Sequence, residues 1–200
     1  KKKRTLSEKQ ALSAIGQPLV MDLYHLALQT QGGLGAQVLL TYDDLANPNR
    51  KKNLQNTLEQ LLTWKVTPIL NENDAVATEE IRFGDNDSLS ARVAKVMDAD
   101  RLVILTDVEG LFDLDPRTHS NAKLISELHG VSASRLKSVS KHSGQKGGTA
   151  LGTGGMFSKL SAAQIASKAN IETWLVKGDA PQVLVSVAKN QSVGTRIHAS

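Results

Sequence analysis

"RLVILT", Arg101 to Thr106, decides the fold class. Four aliphatic side chains in a row stand between an arginine and a threonine, the near-continuous apolar run of a parallel strand covered on both faces. Outward from it the chain alternates. Upstream, "AQVLLTY" (Ala36 to Tyr42) and "KVTPIL" (Lys65 to Leu70) read as strands, and downstream Ile171 to Val176 and a terminal segment do the same. Between them lie helical stretches from Pro48 to about Trp64, from about Ser88 to Met97, near Ser132 to Ser138, from Met156 to Ala169 and from Pro181 to Ala188. Strands alternating with helices imply an α/β protein with a mainly parallel sheet and helices on both faces.

Several details sharpen that outline. Ser7 to Gln29 carries Leu12, Ile15, Leu19, Leu23 and Leu26 at steps of three and four, one stripe of a helix. The stripe is read as core packing, with a subunit interface as the alternative. Pro18 predicts a kink or break near Gly16-Gln17, because it removes a backbone donor. Asn47-Pro48 is a helix start, with Asn as cap and Pro at the first helical position, and Leu54, Leu58, Leu61 and Leu62 are expected to point inward. Pro68 places its strand near an end or an edge.

Composition excludes several classes. The chain has no cysteine, hence no disulfide framework and no thiolate metal site. Its apolar runs fall well short of the roughly 20 residues that span a bilayer, and no signal-peptide core opens it, so a cytoplasmic protein away from the membrane is expected. The net charge is +4, with basic clusters at residues 1–4 and 50–52. Neither cluster has an aromatic beside it for base stacking, so both read as solvated helix ends and no nucleic-acid partner is expected. His25, His119, His129, His142 and His198 show no metal-ligand spacing, and no metal ligands are assigned.

Ligands of open α/β sheets bind beyond the carboxyl ends of the strands. Three places qualify: Asn71 onward, Thr106-Asp107 and Lys177-Gly178. The first opens "NENDAVATEEIRFGDND", residues 71–87, crowded with carboxylates and asparagines. Such a segment is an exposed acidic loop, a metal site, or a site for an amino acid whose ammonium meets Asp and whose carboxylate meets Asn. "GTALGTGGMFSKL", residues 148–160, is a glycine-rich loop running into a helix. A Walker A loop needs lysine directly after its last glycine, and here Lys159 stands four residues after Gly155. The loop could still bring backbone N–H groups and a helix N-terminus to an anion, and the alternative is a flexible linker with a surface lysine. Lys159 falls in the first helical turn, where the dipole disfavours a cation, which argues for a functional lysine.

Five runs in order are similar to the amino-acid kinase family, and within it to the glutamate 5-kinase branch. They are residues 70–76 around "NENDAV", "GDNDSLSA" (84–91), "LTDVEGLFDLDPR" (105–117), "GTGGMFSKLSAA" (152–163) and the closing "SVGTRIHA". The resemblance covers nearly the whole chain. It implies a three-layer α/β/α sandwich, generally oligomeric, in which ATP with Mg²⁺ phosphorylates the γ-carboxylate of L-glutamate at the start of proline biosynthesis, with proline as a feedback inhibitor. It assigns Asp74, Asn86 and Asn71 to glutamate. Thr106, Asp107 and the loop Thr153, Gly154, Gly155, Met156, Phe157, Ser158 and Lys159 go to ATP. Lys159 and Asp87 are the catalytic pair, Asp87 holding lysines in place. The family's N-terminal Lys-x-Gly-Ser/Thr grip, its Ser-Ser-Gly-Ala turn and the C-terminal PUA domain of bacterial members do not occur in residues 1–200. All 200 residues are therefore expected to be one kinase domain lacking its N-terminal segment. Two other functions remain beside the leading one: an incomplete kinase-like domain that senses glutamate or proline, and a sister kinase acting on another carboxylate.

Overall fold

The computed structural model describes residues 4–77, 86–136, 139 and 155–199. Two compact units divide the chain, Lys1–Asn86 and Asp87–Ser200.

The first unit starts with α1 (Leu6–Gln29), whose N-cap Thr5 accepts from the Glu8 N–H while the Glu8 carboxylate accepts from the Thr5 N–H. These two bonds satisfy two groups that the helix itself cannot. Next come β1 (Leu34–Leu40), a one-turn α2 (Tyr42–Ala46), α3 (Pro48–Thr63) and β2 (Val66–Glu72). Strands β1 and β2 pair in parallel, Leu34 opposite Val66 and Leu40 opposite Glu72. Asn47 caps α3 through bonds from the Asn49 and Arg50 N–H groups, with Pro48 at the first helical position.

Four expectations for this unit need correction. Of the kink or break expected near Gly16-Gln17, the break does not occur: α1 runs on past Pro18 through residue 29. One missing bond leaves the turns on either side intact, and extension of a formed helix is cheap compared with its nucleation. The stripe from Leu12 to Leu26 is not core: those five residues are 48–70% exposed. The packed face carries Gln10, Ser13, Gly16, Gln17 and the buried Met21 instead. Strand β1 ends at Leu40 because Asp44 reaches back to the Thr41 N–H and hydroxyl and starts α2 there. Leu58 is buried as expected, but Leu62 is exposed.

The second unit holds α4 (Asn86–Val96, its first residue shared with the unit before), β3 (Arg101–Thr106), β4 (Glu127–His129), α5 (Met156–Ser167), β5 (Glu172–Lys177), α6 (Val183–Ala188) and β6 (Thr195–His198). Its sheet has the order β3-β5-β6-β4, with β3–β5 and β4–β6 parallel and β5–β6 antiparallel. The side chains of β5 alternate between two cores. Leu175 joins Leu102, Ile104 and Ile197 beneath Ala91 and Ala94 of α4 and Leu160, Ala162, Ala163 and Ala166 of α5. Trp174 and Val176 face Val183 and Val187 of α6. Helices therefore cover both faces of the sheet, and the expected α/β class with mostly parallel pairing is the one observed. The three alanines of α5 let its backbone lie close to the strands. Strand β5 is the more completely covered strand: β3 packs Leu102 and Ile104 into the first core and Val103 against the second, but Leu105 is 48% exposed where β3 ends the sheet.

Two polar devices lock this unit. The fully buried Thr195 hydroxyl accepts from the Leu111 N–H (2.8 Å) and lies 2.6 Å from the Ile125 carbonyl, tying the segment after β3 to β6. Just before it, Gly194 has φ +60°, and a Cβ there would collide with the Leu175 carbonyl. At the opposite strand ends, Glu172 accepts from Arg101 Nε (3.1 Å), Trp174 Nε1 (2.6 Å) and Arg196 Nε (2.6 Å). One carboxylate thereby joins β3, β5 and β6, while Arg101 continues to the Val187 carbonyl and Asn190.

Burial alone would raise the Glu172 carboxyl, but hydrogen bonds from Trp174 and Arg196 and the charges of Arg196 and Arg101 outweigh it and lower its pKa. A lowered carboxyl stabilises the fold above its unfolded value, and that contribution disappears as pH falls through the folded value. Glu172→Gln should therefore cost about 1.5–3 kcal/mol at pH 7, with the difference from the parent shrinking below the ordinary glutamate range. Urea unfolding followed by Trp174 fluorescence in a Trp64→Phe background measures it. A difference constant between pH 7 and pH 3 would contradict the assignment.

Candidate active site

The strand-end rule places ligands where β2, β3 and β5 finish. Strand β2 runs two residues past the expected Leu70, so Asn71 and the buried Glu72 belong to the strand itself. The Asn73 N–H then donates to the Leu40 carbonyl (2.8 Å), and the Val76 and Ala77 N–H groups both donate to the Asn73 carbonyl. That turn presents Asp74, whose Oδ2 accepts from Ser13 Oγ at 3.0 Å. Asn71 Oδ1 accepts from the Glu72 N–H (2.9 Å) and from Asn86 Nδ2 (3.2 Å). The two asparagines singled out from sequence are thus in contact, and Asp74 is held separately by α1. Residues 78–85, which include "GD" of the "GDND" run, lie outside the described residues.

In the second unit, Asp87 sits in the first turn of α4, where a carboxylate is favoured by the dipole. Its Oδ2 lies 3.1 Å from Lys159 Nζ and accepts from Ser158 Oγ at 2.6 Å, and its Oδ1 lies 3.4 Å from Nζ. The two charged side chains are only 12% and 17% exposed. Lys159 is in the first turn of α5, so the dipole opposes it by about 0.3–1 kcal/mol. Breaking a buried ion pair costs roughly 3–5 kcal/mol. The pairing therefore decides where Lys159 points.

Gly155 is the N-cap of α5, and no side chain caps that end. Ser158 and Lys159 return their N–H groups to the Gly155 carbonyl. Met156 packs against the core while Phe157 is exposed. Thr153 and Gly154 lie outside the described residues, as does nearly all of the glycine-rich stretch before them.

The other two strand ends are one place. Thr106 of β3 stands opposite Lys177 of β5, and the Gly178 N–H donates to the Thr106 carbonyl (2.8 Å). Buried Thr106 sends its hydroxyl to the exposed Asp107 carboxylate (3.2 Å). A Cβ on Gly178 would stand 3.2 Å from Leu105 Cβ, a tight contact that Leu105 would have to yield to by a few tenths of an ångström.

Reasoning from the sequence missed the polar face of α1. Gln10, Ser13 and Gln17 recur at three and four residues beside the more conspicuous leucine stripe. Their spacing was the available signal, and apolar periodicity masked it.

A profile of the Amino acid kinase family matches residues 1–177. Among known proteins, the chain is 42% identical over 194 residues to a glutamate 5-kinase of Caldanaerobacter subterraneus subsp. tengcongensis, covering 97% of this chain and 51% of that one. Identity is 46% over 192 residues to that of Nitrosococcus oceani, covering 96% and 50%. It is also 46%, over 196 residues, to that of Shewanella oneidensis, covering 98% and 51%. The chain spans about half the length of the curated relatives it matches. Of solved structures, UMP kinase from Bacillus anthracis matches with TM-score 0.61 at 16% identity, covering 97% of this chain and 70% of that one. UMP kinase from Ureaplasma parvum gives 0.52, also at 16%, covering 86% and 63%. These two likenesses concern the fold.

If Asp87 and Lys159 act as a pair, removing either leaves the other half-buried and uncompensated. Asp87→Asn should lower the stability of the second unit by on the order of 2 kcal/mol, and Asp87→Asn combined with Lys159→Met should cost less than the two single changes added. Urea midpoints of the four proteins test this. Simple additivity would show that the pair is not coupled.

Proposed function

The chain belongs to the amino acid kinase family, and from that premise we propose that it carries the glutamate 5-kinase reaction, transfer of the terminal phosphoryl group of ATP to the γ-carboxylate of L-glutamate. The observation that carries this reading is the Asp87–Lys159–Ser158 cluster at the start of α5, a helix end with no side-chain cap. The identity of 42–46% to glutamate 5-kinases supports the choice of acceptor.

Lys159 and the first N–H groups of α5 form a donor set suited to phosphate oxygens, while the Ser158 hydroxyl donates to Asp87. The reading adds Thr153, Gly154, Gly155, Met156 and Phe157 from the loop, and Thr106 and Asp107 from the end of β3. Mg²⁺ enters as the companion of ATP, whose phosphates supply much of its usual oxygen shell. Among the described residues, no three His, Cys, Asp or Glu side chains converge into a metal cage. When bound, ATP supplies the phosphoryl group and ADP the leaving group.

On the acceptor side, the Asp74 carboxylate suits the α-ammonium of glutamate, and the N–H donors of Asn71 and Asn86 suit its α-carboxylate. The γ-carboxylate is already a nucleophile at neutral pH and needs no base. One oxygen–phosphorus bond forms as the bond to the ADP oxygen breaks, and no proton moves. The chain's contribution is positioning and neutralisation of charge. Asp87 acts through Lys159, fixing the ammonium where that neutralisation is required.

The reading extends to a homo-oligomer, for which the exposed apolar face of α1 is the supporting surface. It also includes a cytoplasmic location and inhibition by proline. No helix among the described residues is long and apolar enough to cross a membrane.

In the protein carrying this chain, Lys159→Ala should lower kcat by about 10²–10³ with an unchanged circular dichroism spectrum. Turnover is read as glutamate-dependent ADP formation with hydroxylamine trapping the acyl phosphate, and full turnover would remove Lys159 from the site. Asp74→Ala should raise the glutamate KM far more than the ATP KM; equal increases would contradict the substrate assignment.

A further inference from the structure

We propose that Gln17, with Ser13 one turn earlier on α1, is a positioning residue of the acceptor site, acting through Asn71 and Asp74. The proposal rests on the reading that Asn71, Asp74 and Asn86 hold glutamate. Helix α1 meets the segment after β2 through three polar rungs. Gln10 Nε2 donates to the Ala77 carbonyl (3.0 Å), Ser13 Oγ to Asp74 Oδ2 (3.0 Å), and Asn71 Nδ2 to Gln17 Oε1 (2.9 Å). Steps of three and four along the helix keep these side chains on one face. The rungs meet residues 77, 74 and 71 in descending order, so helix and segment run in opposite directions. Over seven residues the helix advances about 10 Å, and along that distance it grips two of the three predicted substrate contacts, Asp74 and Asn71.

The last rung belongs to a relay of four carboxamides. Asn86 Nδ2 donates to Asn71 Oδ1 (3.2 Å), Asn71 Nδ2 to Gln17 Oε1 (2.9 Å), and Gln17 Nε2 to Gln37 Oε1 (3.2 Å). The Glu72 backbone N–H fixes the sense of the whole chain. It can only donate, and it points at Asn71 Oδ1 (2.9 Å), so the other end of that amide must be the nitrogen. Gln17 must then offer oxygen to Asn71 and nitrogen to Gln37. The Glu72 N–H sets which way the Asn71 amide faces, and Gln17 holds its other end and so sets its plane. Each amide nitrogen has two hydrogens and uses one in the relay. Fixing the sense therefore aims the second N–H of Asn71 and of Asn86, the donors assigned to the substrate carboxylate. No member titrates near neutral pH, so the arrangement does not depend on protonation.

Two substitutions of nearly equal length separate positioning from packing. Gln17→Met keeps the volume and removes both hydrogen bonds. Gln17→Glu still accepts from Asn71 Nδ2, with the Gln37 amide turned to donate. Without ligand, the Asn71 side-chain amide resonances in a ¹H–¹⁵N spectrum should shift and lose their heteronuclear NOE in Gln17→Met, and remain near the parent in Gln17→Glu. In the kinase assay, Gln17→Met should raise the glutamate KM about tenfold, the scale of one lost hydrogen bond to a substrate-holding group, with the ATP KM unchanged. Gln17→Glu should recover most of that loss. The proposal is overturned if Gln17→Met matches the parent, if both KM values rise together, or if Gln17→Glu is as impaired as Gln17→Met. Should Gln17→Met not fold, Ser13→Ala gives the same KM split through Asp74, with rescue by Ser13→Thr; no split there overturns the proposal equally. Asn71→Ala and Asp74→Ala run alongside as controls. If they leave the glutamate KM untouched, the acceptor-site reading fails and takes this proposal with it. If they raise it and the Gln17 and Ser13 variants do not, this proposal alone fails.

Discussion

A lysine in the first turn of a helix faces the positive end of the dipole, and the Asp87 carboxylate is what makes Lys159 tenable there. Much of the second unit serves that pairing. Asp87 occupies the first turn of α4, the favourable place for its own charge. Ala91 and Ala94 of α4 share a core with Leu160, Ala162, Ala163 and Ala166 of α5, so the two helices that carry the pair are fixed by one apolar cluster. That cluster rests on β3, β5 and β6, which Glu172 ties at one end and Thr195 braces at the other. The geometry around the ammonium is thus inherited from apolar packing several residues away.

The first unit solves a different problem. Its short parallel sheet ends in a polar segment that would be loosely held by strand pairing alone. Helix α1 supplies the missing order by turning a polar face inward, at the expense of leaving leucines outside. A helix that shows its apolar stripe to solvent is an unusual arrangement for a closed monomer. That exposure is the support for the homo-oligomer proposed above.

Local chemistry was legible in the sequence where it was self-contained. Asn47 and Pro48 announced α3 because a cap and a missing donor act within one turn. The strand-end rule directed attention to Asn71 and Thr106, and the structure places both at the carboxyl ends of strands. What stayed hidden depends on partners distant in the chain. "RLVILT" looks covered on both faces, yet its place at the edge of the sheet exposes Leu105, a fact of strand order that no six-residue window contains. The leucine stripe of α1 signalled a helix correctly and its buried face wrongly, since periodicity reports that a face is apolar and not what covers it. The Asp87–Lys159 contact joins residues 72 apart; the family resemblance implied it, whereas the dipole argument marked Lys159 as functional without naming a partner.

In the proposed reaction a carboxylate oxygen of glutamate attacks phosphorus directly. Glutamate labelled with ¹⁸O in its γ-carboxylate, turned over with ATP in the presence of hydroxylamine, tests it. Hydroxylamine cleaves the acyl phosphate at carbon, so the bridging oxygen leaves with phosphate. Direct attack puts one ¹⁸O into phosphate per turnover; unlabelled phosphate formed alongside ADP would rule it out.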